Sequence, residues 1–254
     1  MTNAYFIVII WGMLKDIVKG LVDLVYPKIC IVCRKKLNGK SSVDSLVCME
    51  CWVKIKKNLP PFCCSCGRHL EKNHFTKHVC PACIKNKLHF DRAFSPCVFE
   101  GVLKELVHEF KYKGKDYLGR SLSRLMIEFI QEYNLPLHYL DLIIPVPLHN
   151  ARLREREFNQ AEVLSNHIAA TFNKKVLTNN LIRHRPTRTQ IELDEENRLL
   201  NIKGCFSVKE NRDIKGKNIL LVDDVLTTSA TSSEAAKTLK NAGANIVFVL
   251  TLAN

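Results

Sequence analysis

The fold is decided by one stretch of the chain, Asn218-Ile219-Leu220-Leu221-Val222-Asp223-Asp224-Val225-Leu226-Thr227-Thr228-Ser229-Ala230-Thr231. Its apolar run from Ile219 to Val222 predicts a central parallel strand that is covered on both faces. Two carboxylates and a turn rich in hydroxyl groups follow. Apolar residues then recur at helical spacing as far as Ala242, and Gly243 is placed to cap that helix. The stretch therefore predicts a strand, an acidic pair, a turn and a helix, in that order.

This order suits one class of ligand. Ligands of open α/β sheets bind beyond the carboxyl ends of the strands, and a helix N-terminus offers free N–H groups to a phosphate. Asp223 and Asp224 would repel a phosphate, so we expect them to accept hydrogen bonds from neighbouring ribose hydroxyls. The structural alternative is a buried strand with a solvated acidic turn. The predicted ribose 5-phosphate site consists of Asp223, Asp224, Thr227, Thr228, Ser229, Ala230 and Thr231.

The stretch resembles the signature of type I phosphoribosyltransferases, which bind phosphoribosyl pyrophosphate (PRPP). The resemblance implies that the acidic pair holds the ribose hydroxyls, that the threonine turn holds the 5-phosphate and that Mg²⁺ accompanies PRPP. Ser229 stands where that family most often has glycine. If the position requires a positive φ, a side chain there costs roughly 1–2 kcal/mol, and PRPP should bind more weakly.

A second strand, turn and helix begin at Leu142, where an apolar run is stopped by Pro145 and Pro147. The following turn is predicted to carry three arginines, whose forked guanidinium groups suit pyrophosphate oxygens. If this strand lies beside the Ile219 strand, the two turns face one pocket. A solvated basic helix start is the alternative. The residues predicted on the pyrophosphate side are Val146, Pro147, His149, Arg152 and Arg156.

The cysteines form an internal repeat of C-x₂-C pairs. Cys30, Cys33, Cys48 and Cys51 make the first half, and Cys63, Cys66, Cys80 and Cys83 make the second. Two such pairs complete a tetrahedral Cys₄ zinc site, which is structural because it leaves no open position. These segments contain few apolar residues, so we expect the metal, rather than a core, to hold them. We predict two Zn²⁺ bound within the repeats, although interleaved pairing also fits the spacing, and disulfides are the alternative in an oxidising compartment.

The chain has 38 lysines and arginines against 25 acidic residues, a formal charge of +13 over 254 residues. Because each Cys₄ zinc site carries a charge of −2, about +9 remains after zinc binding. This excess favours nucleic acid, acidic lipid or polyphosphate partners. Basic and aromatic residues interleave, although a solvated turn with incidental lysines also explains the first cluster. The predicted nucleic-acid residues are Lys111, Tyr112, Lys113, Lys115, Arg154 and Phe158.

Residues 4–14 form the most apolar run, but eleven residues are too few to span a bilayer. They lack the pattern of a signal peptide, so we predict a cytoplasmic protein without a transmembrane segment. Helical spacing continues to Val25, which predicts an N-terminal helix that is docked on the protein or lies on a membrane surface. The predicted domains are the N-terminal helix (1–28), the double zinc ribbon (29–90) and the main domain (91–254).

The order of motifs in the second half resembles the ComF family. These motifs are Pro145-Val146-Pro147-Leu148-His149, Arg152, Phe158-Asn159-Gln160, Arg188-Thr189-Gln190, and Arg198, Asn201, Gly204 and Phe206 before the PRPP stretch. The resemblance implies an α/β fold with a phosphoribosyltransferase-like parallel sheet, helices on both faces and an N-terminal double zinc ribbon. Two further departures are Glu157, where the family usually has glycine, and Glu192, where it usually has a small residue.

The ComF resemblance implies a protein that binds PRPP and handles single-stranded DNA in natural competence, with competence proteins as further partners. Two alternatives stay open. The first is an active phosphoribosyltransferase that transfers ribose 5-phosphate to an unidentified nitrogen acceptor, for which no catalytic residue is assigned. The second is a regulatory module in which PRPP switches a protein partner.

Overall fold

The computed structural model describes Trp11 and residues 28–37, 41–71, 78–112, 114–186 and 201–254. The predicted N-terminal helix therefore lies outside the described residues, apart from Trp11. The chain divides into two units, Met1–Lys54 and Ile55–Asn254. In the described residues no helix is both long enough and apolar enough to cross a membrane.

The first unit contains the first cysteine quartet. A short antiparallel hairpin pairs β1 with β2, and Val43 lies opposite Val47 in its register. Both valines are buried. The elements of this unit are β1 (Ser42–Val43), β2 (Val47–Cys48) and α1 (Met49–Trp52).

The second unit contains the second cysteine quartet and the main sheet. Its helices are α2 (Pro81–Lys85), α3 (Gly101–Phe110), α4 (Leu118–Glu132), α5 (Asn150–Arg156), α6 (Gln160–Phe172) and α7 (Ala230–Asn241). Its strands are β3 (Arg92–Phe94), β4 (Leu142–Pro145), β5 (Lys175–Val176), β6 (Leu181–Arg183), β7 (Phe206–Val208), β8 (Asn218–Val225) and β9 (Ile246–Ala253).

The main sheet has five strands in the order β3-β9-β8-β4-β5, and every neighbouring pair is parallel. The prediction that the Ile219 strand is central is confirmed, because β8 has two strands on each side. Its neighbour β4 is the strand that was predicted to share its pocket, with Pro145 opposite Val222. The acidic pair lies within β8, whereas the sequence predicted that the strand ends before it.

Helices cover both faces of this sheet, as predicted. Successive side chains of a strand point to opposite faces. Ile219 and Leu221 of β8 belong to the same apolar cluster as Ala235 and Leu239 of α7. On the other face, α4 and α6 pack against each other and against the strands. Burial on both faces explains why the strand reads as an unbroken apolar run.

Prolines lie at or near the ends of two strands. The edge strand β3 ends at Phe94, two residues before Pro96, and a proline cannot donate to a strand ladder. The strand from Leu142 ends at the first of its two prolines. The arginines that were expected in a turn lie on α5, a helix of two turns that begins after His149.

The second zinc ribbon shares the main apolar core, which the sequence did not predict. Cys63, Cys66 and Leu70 are buried in the same cluster as Ile219 and Leu221 of the central strand. Apolar burial therefore supports this ribbon in addition to its metal site. The predicted domain boundary at residue 90 stays a prediction.

Candidate functional site

The cysteines form two quartets, Cys30, Cys33, Cys48 and Cys51, and Cys63, Cys66, Cys80 and Cys83. Within each quartet the four Sγ atoms all lie within 4.8 Å of one another. All eight thiols are free of disulfides. Pairing within each repeat is therefore confirmed over interleaved pairing.

The distances between sulfurs fit zinc. Cys33 Sγ lies 3.7 Å from Cys48 Sγ, and Cys66 Sγ lies 3.6 Å from Cys80 Sγ. A tetrahedron with Zn–S bonds of about 2.3 Å has edges of about 3.8 Å. Backbone N–H groups also point at sulfur, since Cys80 N donates to Cys63 Sγ at 3.3 Å. Four thiolates in a tetrahedron fit a structural Zn²⁺ in each ribbon.

Three cysteines lie outside the repeats. Cys64 is exposed beside the second knuckle, and Cys97 and Cys205 are fully buried. Burial raises the pKa of the Cys97 thiol to about 12. Such a thiol stays protonated and acts as a small apolar residue.

The acidic pair lies at the carboxyl end of β8. Asp223 Oδ1 accepts a hydrogen bond from Asp224 N, and Asp224 Oδ1 accepts one from Val225 N, both at 2.8 Å. These bonds fix the carboxylates against their own backbone. The other oxygen of Asp224 forms an ion pair with Lys111 Nζ at 2.7 Å, in which the lysine side chain is 30% exposed and the aspartate 16%.

The pKa values of the two carboxyl groups are shifted in opposite directions. Burial and the adjacent charge of Asp224 raise the pKa of Asp223 to about 8. Burial alone would also raise the pKa of Asp224, but the charges of Lys111 and Arg156 outweigh it and lower that pKa. Asp223 therefore holds its proton to a higher pH than its neighbour Asp224 does.

The turn after β8 has the backbone that a glycine would adopt. Ser229 has φ 63° and ψ 0°, in the left-handed region, and α7 begins at the next residue, Ala230. The hydroxyl of Thr228 is buried and has no hydrogen-bond partner in the structure. Thr227 is exposed. A strained turn, an unpartnered hydroxyl and the start of a twelve-residue helix therefore meet at one point.

The segment after β4 lies next to this turn. Val146 N donates to Val222 O at 2.8 Å, which ties it to the central strand. Asn159 donates to Val146 O at 3.1 Å, and His149 Nδ1 caps α5 by accepting from Ala151 N. Pro147 is half-buried. The predicted pyrophosphate segment therefore begins at the end of β8 that carries the acidic pair.

Two arginines bring charge to the acidic pair. Arg156 donates to Gln160 Oε1 at 2.9 Å; burial lowers its pKa, and the charge of Asp224 opposes this. Burial likewise lowers the pKa of Arg183, and the charge of Asp223 is among those that oppose it. Arg152 lies one helical turn before Arg156 and forms an ion pair with Glu155 at 3.5 Å.

Glu157 is a second residue in a glycine-like conformation. It ends α5 with φ 70° and donates its backbone N–H to Leu153 O. It is one of the three positions at which the sequence departs from the family pattern. Ser229 and Glu157 thus share a physical cause, a side chain in the left-handed region, and Glu192 lies outside the described residues.

The residues predicted to bind nucleic acid do not form one continuous surface. Lys111 pairs with Asp224, and Lys115 pairs with Glu109 and lies 5.6 Å from the ring centre of Tyr112. Tyr112 is 51% exposed. Arg154 is exposed on α5, while the ring of Phe158 packs against Phe110. Lys113 lies outside the described residues.

Three basic contacts were missed from the sequence. Lys111 was assigned to nucleic acid, although it contacts the acidic pair. Arg183 was not among the predicted site residues. Arg68 of the second ribbon donates to the carbonyl oxygens of Leu226, at 3.4 Å, and Thr227. No feature of the sequence indicates that contact, because the partners are about 160 residues apart in the chain.

Comparison with known proteins gives relatives for most of the chain. Residues 21–84 match a family described as a double zinc ribbon domain. Competence protein F of Haemophilus influenzae is 31% identical over 228 residues, which cover 88% of this chain and 96% of that protein. DNA utilization protein YhgH of Escherichia coli K12 is 28% identical, with coverage of 89% and 96%. Competence protein ComFC of Bacillus subtilis is 27% identical, with coverage of 79% and 80%.

Solved structures show a weaker likeness. A glutamine PRPP amidotransferase from B. subtilis has 22% identity and a TM-score of 0.35, and the match covers 57% of this chain and 26% of that one. Adenine phosphoribosyltransferase from Leishmania donovani has 15% identity and a TM-score of 0.27, with coverage of 51% and 64%. Scores this low carry no argument about the site.

Proposed function

This chain belongs to the competence protein F family, and we propose that it binds PRPP at the carboxyl end of β8 and handles single-stranded DNA during DNA uptake. The observation that carries the PRPP proposal is the meeting of opposite charges at one end of the sheet. Asp223 and Asp224 lie there with Lys111, and the charges of Arg156 and Arg183 act on the pair.

Each part of PRPP has a matching group. The turn around Ser229 supports binding of the 5-phosphate, because its threonine hydroxyls and the first N–H groups of α7 are donors. The unpartnered hydroxyl of Thr228 is one such donor. Asp223 and Asp224 would accept from the ribose hydroxyls. Arg152 and Arg156, together with His149, would lie toward the pyrophosphate.

Magnesium fits the same site. Mg²⁺ prefers oxygen ligands and usually binds through one or two carboxylates together with substrate phosphates. The acidic pair provides carboxylates, and PRPP would provide the phosphates. In this proposal Mg²⁺ neutralises pyrophosphate charge next to Asp223 and Asp224.

The PRPP proposal is tested by calorimetry with Mg²⁺ and three ligands, PRPP, ribose 5-phosphate and pyrophosphate. The double variant Asp223→Asn with Asp224→Asn should lose PRPP binding by about 100-fold or more, because each carboxylate contributes roughly 1.5–3 kcal/mol. Glu105→Gln, which neutralises an exposed carboxylate on α3, is the matched control. An affinity in the double variant equal to that of Glu105→Gln would refute the site.

The DNA proposal rests on the family and on charge. The relatives are named for competence and for DNA utilization, and this chain carries an excess of basic residues. Exposed Arg154 and Tyr112 would contribute a cation and a stacking face. A cytoplasmic location belongs to the same proposal, because eight thiols held for zinc suit a reducing compartment. Competence proteins are the proposed protein partners.

Binding of a labelled oligonucleotide at several salt concentrations tests the DNA proposal. Electrostatic binding to a single strand weakens steeply with salt, by roughly twenty-fold between 50 and 200 mM for about three phosphate contacts. Arg154→Glu should weaken binding at low salt and leave PRPP affinity unchanged. An affinity that does not depend on salt would remove DNA as a partner and favour the regulatory alternative. Release of pyrophosphate from PRPP in the same preparation would instead favour the transferase alternative.

A further inference from the structure

We propose that the second zinc ribbon is a structural part of the phosphate-binding turn and that Arg68 is the positioning residue that joins the two. This inference rests on the proposed function, because it takes PRPP as the ligand of the turn. Its physical basis is a chain of contacts that runs from the Cys63–Cys66 knuckle to the end of β8, all within the second unit.

The knuckle is built around a close backbone approach. Gly67 N donates to Cys63 O at 3.0 Å, and Cys63 N donates to Arg68 O at 2.7 Å. Gly67 has φ +73°, and a Cβ at this position would meet Ala93 O at only 2.4 Å. Only glycine fits here, because the knuckle presses directly on the backbone of β3. The residue after this glycine is Arg68.

Further hydrogen bonds fix the knuckle to the edge of the sheet. Ala93 N donates to Ser65 O at 2.7 Å. Asn58, which is 2% exposed, donates to Gly67 O at 2.8 Å and to Ser95 O at 2.9 Å. Its carbonyl oxygen accepts from His69 N at 3.1 Å. The backbone on both sides of Arg68 is therefore immobilised against β3.

From this anchored position Arg68 reaches the turn. Its guanidinium group donates to Leu226 O, at 3.4 Å, and to Thr227 O. These carbonyl groups immediately precede Thr228 and Ser229. A planar guanidinium with two acceptors sets orientation as well as position. It also leaves a positive charge beside a turn that is proposed to bind a phosphate.

Packing provides a second connection between the same two places. Cys63 and Cys66 lie in one apolar cluster with Leu226, which leads into the turn, and with Ala230, which begins α7. A change in the knuckle would therefore be transmitted to the turn both by Arg68 and by the shared core. None of these contacts involves the first zinc site, so the two ribbons are predicted to differ in role.

The internal repeat offers a matched control. Lys35 follows Cys33 at the same distance at which Arg68 follows Cys66. Lys35 forms an exposed ion pair with Glu50 at 3.0 Å. Arg68→Met and Lys35→Met therefore remove one cation from the same place in each ribbon, and only the first removes a contact to the turn.

The experiment measures zinc content, PRPP affinity with Mg²⁺, and amide hydrogen exchange of residues 226–231 in the full chain. Both variants should keep two zinc ions. Arg68→Met should lose about ten-fold or more in PRPP affinity, the equivalent of one charge-assisted hydrogen bond, and its turn amides should exchange faster. Lys35→Met should match the wild type in all three measurements. Arg68→Lys, which keeps the charge and one donor, should show part of both effects and replaces Arg68→Met if that variant loses zinc.

A PRPP affinity for Arg68→Met within about twofold of the wild type, or unchanged exchange at the turn, overturns the inference. If the wild type itself binds no PRPP, the proposed function fails. The exchange comparison between Arg68→Met and Lys35→Met then decides on the Arg68 contact by itself.

Discussion

Neutralising the two neighbouring aspartates should change the stability of the protein in opposite directions. The pKa of Asp223 is raised in the folded protein. Above the pKa of the unfolded chain, the unfolded state ionises this group more readily than the folded state does, and the folded protein loses stability. Asp223→Asn removes that cost and should stabilise. Asp224 has a lowered pKa because of Lys111 and Arg156, so Asp224→Asn should destabilise.

The pH dependence of stability follows from the directions of the two pKa shifts. Asp223 has an ordinary pKa of 3.8 and a folded pKa of about 8, so the wild type loses stability relative to Asp223→Asn as pH rises through that interval. The limiting slope is about 1.4 kcal/mol per pH unit for one proton. We expect the advantage of Asp223→Asn to grow by at least about 1 kcal/mol between pH 5 and 7, or roughly 2–4 °C in melting temperature. The stability given by ionised Asp224 is present above its unfolded pKa and is lost as pH falls through its folded pKa.

The size of the Asp224 effect comes from its ion pair. A hydrogen bond between charged groups contributes roughly 1.5–3 kcal/mol, and both side chains are less than one third exposed. Removing the charge of Asp224 also relieves its repulsion of Asp223, which offsets part of the loss. We therefore expect Asp224→Asn to lower stability by about 1 kcal/mol near pH 7. The loss should shrink below about pH 4, where the unfolded chain also binds the proton.

We would measure thermal unfolding of the wild type and of both variants from pH 4 to pH 9. The difference in melting temperature between proteins at each pH removes the contributions that all three share. Lys111→Met provides a control, because adding it to Asp224→Asn should cause little further loss if the ion pair is the cause. Two variants that destabilise equally, or a difference that does not change with pH, would refute the assignment of opposite pKa shifts to the two aspartates.

Three other predictions concern the turn, the metals and DNA. Ser229→Gly should bind PRPP at least as tightly as the wild type in calorimetry, because it relieves roughly 1–2 kcal/mol of backbone strain in the left-handed region. Glu157→Gly is the control, because it relieves a similar strain outside the turn. Elemental analysis should find two zinc ions per chain, and Cys48→Ser should remove one while the unit Ile55–Asn254 keeps its melting transition; one zinc in the wild type would contradict this. Charge reversal at Lys115 should weaken DNA binding at 50 mM salt more than at 200 mM, and an equal loss at both would mean that its charge is not the cause.

The sequence predicted the local features whose cause lies within a short stretch. An apolar run that is buried on both faces indicated the central strand. The spacing of C-x₂-C pairs indicated the metal quartets. The expectation at Ser229 was conditional on a positive φ, and the structure shows a positive φ there. Each of these follows from backbone geometry or burial within a few residues.

Contacts between distant segments were not predictable in this way. Nothing near Lys111 indicates that it pairs with Asp224, because the loop composition fits a nucleic-acid surface equally well. The same holds for Arg68, which looks like one more basic residue beside a knuckle. Both contacts depend on where β3 and its neighbours place separate segments around β8. Electrostatic partners of this kind require the three-dimensional arrangement.

The position of Lys111 bears on which ligands the proposed site can select. A ribose that hydrogen-bonds to Asp224 competes with Lys111 Nζ for the same carboxylate. Ribose 5-phosphate would displace the lysine without offering it another anion at that end of the sugar. PRPP would displace it toward a pyrophosphate group, so the lysine exchanges one anionic partner for another. If the proposed PRPP site is correct, the ion pair would penalise ligands that lack the pyrophosphate, and the preference for PRPP over ribose 5-phosphate should come from Lys111 as much as from the arginines of α5.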